Sequence, residues 1–353
     1  MSGVETVLGY IDKSELGFTH PHEHIYLDLD SLTQAPKDPE KLKIYNAPFN
    51  MEIISDIKNQ LSINKDNIDF VEVDTVIKEL REFKSRGGGT VACLDLPGIG
   101  RNIEIIKEVA IQSQLNIIVA TGWYIQKSHP EYVKHKSVDE LAEIMITELK
   151  DGIEGTNIKA GVIGECACSE PVPWHPEEKK VLTAACKAQV ATDSAFTIHP
   201  SLVGKELGHP PSIAETYVDL LDKEGVDKNK FYLSHSDQTC FDRDYHVRLL
   251  DRGITLDFDT IGLEYYLDDV VPGYRVPTDP ERVDAIVNLC SMGYDKQLML
   301  SHDVFSKLQL KKYGGYGYSH IIKTIIPRLL YRGVSKKQIR NMTIENPKRV
   351  FTH

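Results

Sequence analysis

Short apolar runs alternate along the chain with longer segments whose apolar residues recur at helical spacing. Short runs rich in β-branched residues are typical of buried strands, and their alternation with helices is typical of βα units in a parallel sheet. Eight runs predict eight strands, at residues 17–24, 90–96, 116–123, 161–168, 195–200, 231–237, 254–260 and 298–304. This alternation favours an α/β fold of the closed (β/α)8 TIM barrel type over an open doubly wound sheet.

Five helical segments have a clear apolar pattern, at residues 73–86, 137–150, 176–192, 212–224 and 280–292. The first ends in a run of glycines at 87–89, which favours a helix C-cap and a turn into the next strand. The second begins with Ser137 as a candidate N-cap, and Glu140 stands at the capping-box offset. Residues 30–69 lack this alternation, and we expect them to form an extended loop with one short helix over one end of the barrel.

The composition is that of an ordinary globular protein, with 41% hydrophobic and 26% charged residues. One α/β barrel can accommodate 353 residues, so we expect a single domain over residues 1–353. The formal net charge of −11 disfavours nucleic acid and anionic membranes as partners, since both bind basic surfaces. The sequence has no membrane-length apolar run and no secretory signal pattern, and its six cysteines lack framework spacing, which together predict a cytoplasmic protein.

The ends of the predicted strands are where functional residues are expected, because active sites of this fold lie at the C-terminal ends of the strands. The first strand ends in His20-Pro21-His22-Glu23-His24. Residues i and i+2 of a strand face the same side, about 6.5–7 Å apart, so two such imidazoles can converge on one ion. By this rule His20, His22 and His24 share a face, and spacing alone does not select the pair. His22 and His24 lie nearer to the mouth of the barrel.

Four further strands carry a histidine or an acidic residue, inside an apolar run on the fourth strand and at the C-terminal end of such a run on the others. These residues are Glu165, His199, His235 and Asp303. A carboxylate such as Glu165 is costly to bury unless a metal ion or another cation offsets its charge, and an internal salt bridge is the competing explanation. A single histidine of this kind is more often a hydrogen-bonded core residue. The same feature on five strands predicts a metal site.

The predicted metal ligands are His22, His24, Glu165, His199, His235 and Asp303. Six nitrogen and oxygen donors exceed what one tetrahedral zinc takes, and they suit two ions about 3.5–4 Å apart that share a carboxylate and a hydroxide. We expect two divalent ions, with Zn²⁺ first and Mn²⁺, Co²⁺ or Fe²⁺ compatible with the same donors. Strand alternation turns His302, Cys166 and Cys168 away from this site, so we expect them to lie outside it.

The pattern resembles the metal-binding residues of the amidohydrolase superfamily, in its phosphotriesterase family. The resemblance extends over nearly the whole chain. The segment ETVLGYIDKSELGFTHPHEH is similar to the family's opening segment, which usually reads THEH. Pro21 stands here where that threonine would be and His20 is additional, but the alignment selects His22 and His24.

Three more segments, GTNIKAGVIGECACSE, KYGGYGYSHII and TIENPKRVF, are most similar to the phosphotriesterase-related proteins of animals. Many phosphotriesterases and lactonases of this branch carry a carboxylated lysine on strand four as the bridging ligand. Glu165 stands at that position here, as in the phosphotriesterase-related proteins. A glutamate and a carbamate both offer two oxygens to two metal ions, so the resemblance implies that Glu165 is the bridge.

The resemblance also implies a hydrolase in which a hydroxide that bridges two metal ions attacks the substrate. Asp303 would hold the hydroxide, accept its proton and pass that proton to the leaving group. Phosphotriesterase-related proteins are associated with hydrolysis of N-acetyltaurine and related N-acyl amino acids, so we expect cleavage of a small N-acyl amino acid. Close relatives hydrolyse lactones, so a sugar lactonase is the alternative activity. A promiscuous phosphotriesterase is a third option. A degenerate barrel used as a binding protein is the non-enzymatic alternative, which the complete ligand set disfavours.

A substrate with an anionic end requires a cation near the mouth of the barrel. The candidates are Arg243, Arg248 and Arg275, of which Arg275 lies in the predicted loop 268–280 and is expected to reach the substrate. A solvated surface position explains an arginine in such a loop equally well. Tyr124 is expected to line the pocket with its neighbour Trp123, with core packing as the alternative. The expected partner is a small-molecule substrate, and a homodimer is compatible with the family, whose barrels are often dimers.

Overall fold

Eight parallel strands form the centre of the protein, which confirms the predicted (β/α)8 TIM barrel. The computed structural model describes residues 2–202, 212–266 and 274–353. Strands β3 to β10 follow one another in the sheet in chain order and form a nearly closed barrel. A short antiparallel hairpin, β1 with β2, precedes them. The strands are β1 (Gly3–Thr6), β2 (Gly9–Asp12), β3 (Phe18–Glu23), β4 (Gly88–Cys93), β5 (Asn116–Thr121), β6 (Val162–Ala167), β7 (Ala195–His199), β8 (Phe231–Leu233), β9 (Thr255–Phe258) and β10 (Leu298–Leu300).

Helices connect the barrel strands, and none in the described part of the chain is long and apolar enough to cross a membrane. They are α1 (Pro39–Asn46), α2 (Ile54–Asn59), α3 (Lys65–Ile68), α4 (Val73–Ser85), α5 (Ile103–Ser113), α6 (Glu131–His135), α7 (Val138–Lys150), α8 (Pro176–Thr192), α9 (Ala214–Glu224), α10 (Arg243–Asp251), α11 (Asp279–Ser291), α12 (Ile326–Tyr331), α13 (Lys336–Arg340) and α14 (Asn346–Phe351). The five predicted helices correspond to α4, α7, α8, α9 and α11. Ser137 and Glu140 form the expected capping box at the start of α7.

The segment of residues 30–69 is more helical than its sequence pattern predicts. It contains α1, α2 and α3 instead of one short helix. Asp38 caps α1 by accepting hydrogen bonds from the backbone of the first turn, and Pro39 occupies the first helical position, where its missing N–H costs nothing. Apolar side chains of this segment pack against Leu263 and Leu308, which follow β9 and β10. The segment therefore adjoins the C-terminal mouth of the barrel, as expected.

Each barrel strand ends before its predicted last residue, and β8 and β10 differ most from the prediction. The predicted strand 231–237 contains β8, which stops at Leu233, and the predicted strand 298–304 contains β10, which stops at Leu300. His235 and Asp303 adopt positive φ angles of 54° and 49°, in the left-handed region that does not continue a strand. Both residues thus lie in turns after their strands. Non-glycine residues with this backbone conformation often mark functional sites, where the surrounding structure holds them.

A buried ion-pair network lies behind the turns after β8 and β9. Arg282 on α11 is 1% exposed, and its Nε donates to Asp237 at 2.6 Å. Its other nitrogens donate to the Thr260 hydroxyl at 2.9 Å, the Leu263 carbonyl at 3.0 Å and Asp279 at 3.3 Å. A buried charge is tolerated only when it is paired and hydrogen-bonded in this way. The network therefore fixes α11 against the mouth of the barrel.

We expect Arg282→Met to lower the free energy of unfolding by about 3–5 kcal/mol, because the substitution leaves Asp237 and Asp279 buried without their cation. Urea denaturation of the purified variant measures this change. The matched control is Arg332→Met, since Arg332 pairs with Asp284 while about half exposed, and exposed pairs contribute about 1 kcal/mol or less. Equal stabilities of the two variants would contradict a structural role for the buried network.

Candidate active site

The pair His22 and His24 lies at the C-terminal end of β3, with both side chains buried. Each ring has its Nδ1 atom committed to a carboxylate. Nδ1 of His22 lies 2.7 Å from Asp259, and Nδ1 of His24 lies 2.9 Å from Asp95. An imidazole that donates from Nδ1 presents the lone pair of Nε2 to the other side, which is the usual arrangement of a metal-binding histidine.

The expectation that His20 shares the face of His22 and His24 is wrong. The ring of His20 stacks on that of Phe83 in α4, with centroids 4.1 Å apart, and thus lies outside the barrel. The reason is a register shift in the pairing of β3 with β4 between His20 and Glu23. Such an irregularity interrupts the strict alternation of sides along a strand. The structure therefore brings the later pair of histidines to the site.

Glu165, on β6, lies between two pairs of histidines. Its Oε2 faces His22 Nε2 at 3.5 Å and His24 Nε2 at 3.8 Å. Its Oε1 faces His235 Nε2 at 2.9 Å and His199 Nε2 at 3.8 Å. The carboxylate is 2% exposed, so its charge requires partners on both sides. One carboxylate thus faces the Nε2 atoms of all four histidines.

His199 and His235, which follow β7 and β8, form the second pair. Nδ1 of His235 lies 2.9 Å from Asp259, the carboxylate that also contacts His22. Nδ1 of His199 lies 2.9 Å from the carbonyl of Pro200, so this ring donates from Nδ1 and presents Nε2. Tyr124 donates its hydroxyl to Nε2 of His199 at 3.1 Å. All four histidines thus direct Nε2 into one space.

Asp303 completes the cluster on the side of the first pair. Its Oδ1 lies 3.3 Å from His24 Nε2 and 3.5 Å from His22 Nε2, and its Oδ2 lies 4.0 Å from His235 Nδ1. The side chain is 9% exposed, more than the other carboxylates that contact these histidines. Asp303 therefore combines contact with the histidines and access to the cavity above them, as a proton acceptor near a substrate requires.

Sequence reasoning missed Asp95 and Asp259, which orient three of the histidines. Both are completely buried, and they follow β4 and β9. An acidic residue in or just after a strand is the signal that identified Glu165, and the same rule applied to every strand would have found them. Their role differs, because their oxygens face Nδ1 atoms and backbone N–H groups instead of the shared space.

The protonation of the cluster follows from its dense charge. Burial alone would lower the pKa of His24, but its contacts with Asp303 and Asp95 outweigh burial and raise the pKa to about 9. The pKa values of His22 and His235 are likewise raised well above the ordinary value by neighbouring carboxylates. Burial and the charge of His235 lower the pKa of His199 to about 4. Protons on histidines thus balance the buried carboxylates when no cation does.

The residues present fit a metal centre. Nε2 of His22 is buried and has no hydrogen-bond partner, and it lies in groups of potential ligands with His24 and Glu165 and with His235 and Asp303. Glu165, His199 and His235 form another such group. Imidazole nitrogens and carboxylate oxygens are ligands for Zn²⁺, Mn²⁺, Co²⁺ or Fe²⁺. The cluster could therefore hold divalent ions in exchange for the histidine protons.

A cavity of about 170 Å³ opens above the cluster. Its wall is mainly apolar, and the described lining residues include no lysine or arginine. The residues other than the cluster are Leu27, Leu29, Leu32, Ile99, Tyr124, Leu202, Gln238, Thr260, Leu263, Tyr265 and Phe305. Tyr124 lines the pocket as expected, whereas Trp123 does not, because its indole is buried and donates to Tyr132.

The structure does not bring the predicted cations to this cavity. Arg275 makes two hydrogen bonds of 2.8 Å to Glu281, which caps the start of α11, and it lines other clefts instead. Arg243 pairs with Asp244, and Arg248 pairs with Glu215. In each case a nearby carboxylate fixes the arginine at the surface. Residues 268–273 of the predicted loop lie outside the described residues.

Buried histidines and carboxylates at the C-terminal ends of barrel strands are the arrangement expected of a metal-dependent hydrolase. The family model described as "Phosphotriesterase family" matches residues 2–351. The chain therefore belongs to the phosphotriesterase family of metal-dependent hydrolases, as its sequence pattern predicts.

Relatives and solved structures agree with this assignment. The chain is 35% identical to the N-acetyltaurine hydrolase of Salmo salar over 99% of this chain and 97% of that one. It is 34% identical to the phosphotriesterase-related protein of Nematostella vectensis, over 99% and 98% of the two chains. Among solved structures, a resiniferatoxin-binding protein from Rhodobacter sphaeroides is similar with a TM-score of 0.91 and 32% identity, over 99% and 94%. A phosphotriesterase homology protein from Escherichia coli, complexed with phosphate in its active site, is similar with a TM-score of 0.75 and 27% identity, over 96% and 99%.

We expect metal binding to release protons and to strengthen as the pH rises toward 9. The pKa of His24 is raised to about 9, so at pH 7 this ring holds a proton that an ion must displace. Below pH 9 the proton competes with the ion, and above it the competition from His24 ends. Titration calorimetry of the metal-free protein with Zn²⁺, in buffers of different ionisation enthalpy, measures the protons released. A binding enthalpy that is the same in every buffer would contradict this expectation.

Proposed function

We propose that this protein is a binuclear metal-dependent amidase that hydrolyses small N-acyl amino acids such as N-acetyltaurine. The observation that carries the proposal is the position of Glu165 between two pairs of histidine Nε2 atoms. One oxygen faces His22 and His24, and the other faces His199 and His235. This arrangement supports one ion for each pair, with Glu165 shared and Asp303 on the side of the first pair.

The histidines and Glu165 would hold two divalent ions, with Zn²⁺ first among those that suit the donors. The chemistry that such ions would supply when bound is a nucleophilic water with a pKa lowered to about 7 and polarisation of the substrate carbonyl. Asp303 would accept the proton released during attack and deliver it to the departing amine nitrogen. The hydroxyl of Tyr124, which reaches the same space, would orient the substrate. The apolar cavity wall would exclude water and strengthen these polar contacts.

The choice of an amide substrate is supported by the relatives. Those named N-acetyltaurine hydrolase include the proteins of Salmo salar and Mus musculus, at 35% and 33% identity over 99% of this chain. A lactonase is the second candidate, because a solved structure named as a PTE-like lactonase of Deinococcus radiodurans shares the fold, with a TM-score of 0.74 and 27% identity. Both reactions need a nucleophile and a polarised carbonyl, so the six proposed ligands serve either one.

We expect Asp303→Asn to lower kcat for amide hydrolysis by at least about 100-fold, because an amide cannot accept the proton. The variant should retain bound metal, since four histidines and Glu165 are unchanged. Steady-state kinetics and metal analysis of the same preparation measure both effects. Asp284→Asn, which alters a surface aspartate that pairs with Arg332, is the matched control and should have wild-type kinetics. A wild-type rate in Asp303→Asn would refute the assigned role.

A substrate panel tests the proposed specificity. The metal-loaded protein is incubated with N-acetyltaurine, other N-acyl amino acids, sugar lactones and a phosphotriester. We expect the highest kcat/KM with the N-acyl amino acids. A higher value with the lactones would favour the second candidate, and hydrolysis of none of these compounds by protein with a full metal complement would reject the proposal.

A further inference from the structure

Glu23 stands between His22 and His24 in the sequence, yet its carboxylate contacts the turn after β10. The side chain is completely buried. Its Oε1 accepts hydrogen bonds from the His302 backbone N–H at 3.1 Å and from Nδ1 of His302 at 2.8 Å. Its Oε2 accepts a hydrogen bond from the Val304 backbone N–H at 3.0 Å. One carboxylate therefore holds both residues that flank Asp303.

Hydrogen bonds join Glu23 and His302, and His20 lies beside them. The three residues lie close enough together to suggest a second metal site. However, Nε2 of His302 accepts a hydrogen bond from the Ile321 N–H at 3.1 Å, so its proton is on Nδ1 and is donated to Glu23. Neither nitrogen of His302 is then free to bind an ion. The cluster instead connects β3 to the turn that carries Asp303.

That turn has a backbone conformation that its surroundings must hold. Asp303 has a φ of 49°, in the left-handed region that residues other than glycine rarely adopt. Its N–H donates to the His22 carbonyl at 3.3 Å, and its own carbonyl accepts a hydrogen bond from Gln309 at 2.6 Å. With the two hydrogen bonds that Glu23 accepts from the flanking N–H groups, the backbone on both sides of Asp303 is fixed.

The same contacts close the barrel at its seam. In the described residues, strand pairing runs from β3 to β10 through the sheet, and none is found between β3 and β10 themselves. Ser301 donates its hydroxyl to the His22 carbonyl at 2.5 Å and lies 3.3 Å from Glu23. Side-chain hydrogen bonds, together with the backbone bond from Asp303 to His22, therefore join the two ends of the sheet where the histidine pair meets Asp303.

We propose that Glu23 is a positioning residue that sets the placement of Asp303 relative to His22 and His24. The inference rests on the proposed function, in which Asp303 transfers the proton. Glu23 lines neither the cavity nor the shared space of the histidines, so it would act through the turn and not by contact with the reacting groups. A displacement of about 1 Å at a reacting group lowers a rate by about 100-fold. Loss of the hydrogen bonds that Glu23 accepts from this turn should therefore change kcat much more than it changes KM.

Glu23→Gln tests the proposal, because glutamine has nearly the same shape but replaces one acceptor oxygen with an NH₂ group. This group would face a backbone N–H of His302 or Val304. We expect kcat to fall by about 100-fold with KM changed by less than about threefold, while bound metal is retained. Amide hydrogen exchange of a peptide spanning residues 301–304 should become faster.

The matched control is Glu79→Gln. Glu79 is a buried carboxylate on α4 that accepts the N–H of Lys312, further along the same loop. We expect the Glu79→Gln substitution to leave kcat and the amide hydrogen exchange of residues 301–304 unchanged. A wild-type kcat in Glu23→Gln, or an equal loss of kcat in both variants, would overturn the proposal.

Two further measurements separate the possible failures. If Glu23→Gln does not fold, Glu23→Asp keeps the charge on a shorter side chain, and a folded Glu23→Asp variant with wild-type kcat and wild-type exchange would overturn the proposal. If the wild-type protein hydrolyses no substrate of the panel, the proposed function fails. Exchange at residues 301–304 and the visible spectrum of the Co²⁺-loaded protein then decide the role of Glu23. If the exchange and the spectrum are both unchanged in Glu23→Gln, the proposed role of Glu23 is overturned.

Discussion

Two histidines, one on β3 and one in the turn after β8, share one carboxylate, and the geometry of the candidate site depends on that pairing. Asp259, which follows β9, contacts Nδ1 of His22 at 2.7 Å and Nδ1 of His235 at 2.9 Å. It also accepts the backbone N–H of His235, whose φ of 54° needs such support. Because an imidazole held at Nδ1 can direct Nε2 in only one way, Asp259 orients one histidine on each side of Glu165.

The same arrangement makes charge balance the main energetic requirement of the site. Several carboxylates and imidazoles are removed from water together, and each unpaired charge would cost several kcal/mol. Without metal, protons on His22, His24 and His235 supply the positive charge, which is why their pKa values are raised. Divalent ions can supply the same charge and would remove the need for those protons. Metal binding and protonation are therefore alternative ways to stabilise one buried cluster.

The sequence predicts the parts of this structure that follow from the repeating pattern of apolar residues. It does not predict the side-chain positions and turn conformations that depend on a single tertiary contact. The eight strands and the position of Glu165 follow from apolar runs and the geometry of barrels. The face of His20 does not, because a local register shift reverses it. The turns at His235 and Asp303 also escape prediction, since distant carboxylates hold these conformations. Arg275 is removed from the site by its pairing with Glu281, a contact that loop composition does not reveal.

Closure of the barrel and assembly of the site consequently depend on the same contacts. Glu23 and Ser301 join β3 to the turn after β10, and Asp259 joins the histidine of β3 to the histidine after β8. None of these three residues faces the shared space of the Nε2 atoms. A barrel that retained all six donors but lost Glu23 or Asp259 would keep the metal-binding groups but lose hydrogen bonds that orient them. A complete ligand set is therefore weaker evidence for catalysis than a complete ligand set together with the carboxylates that orient it.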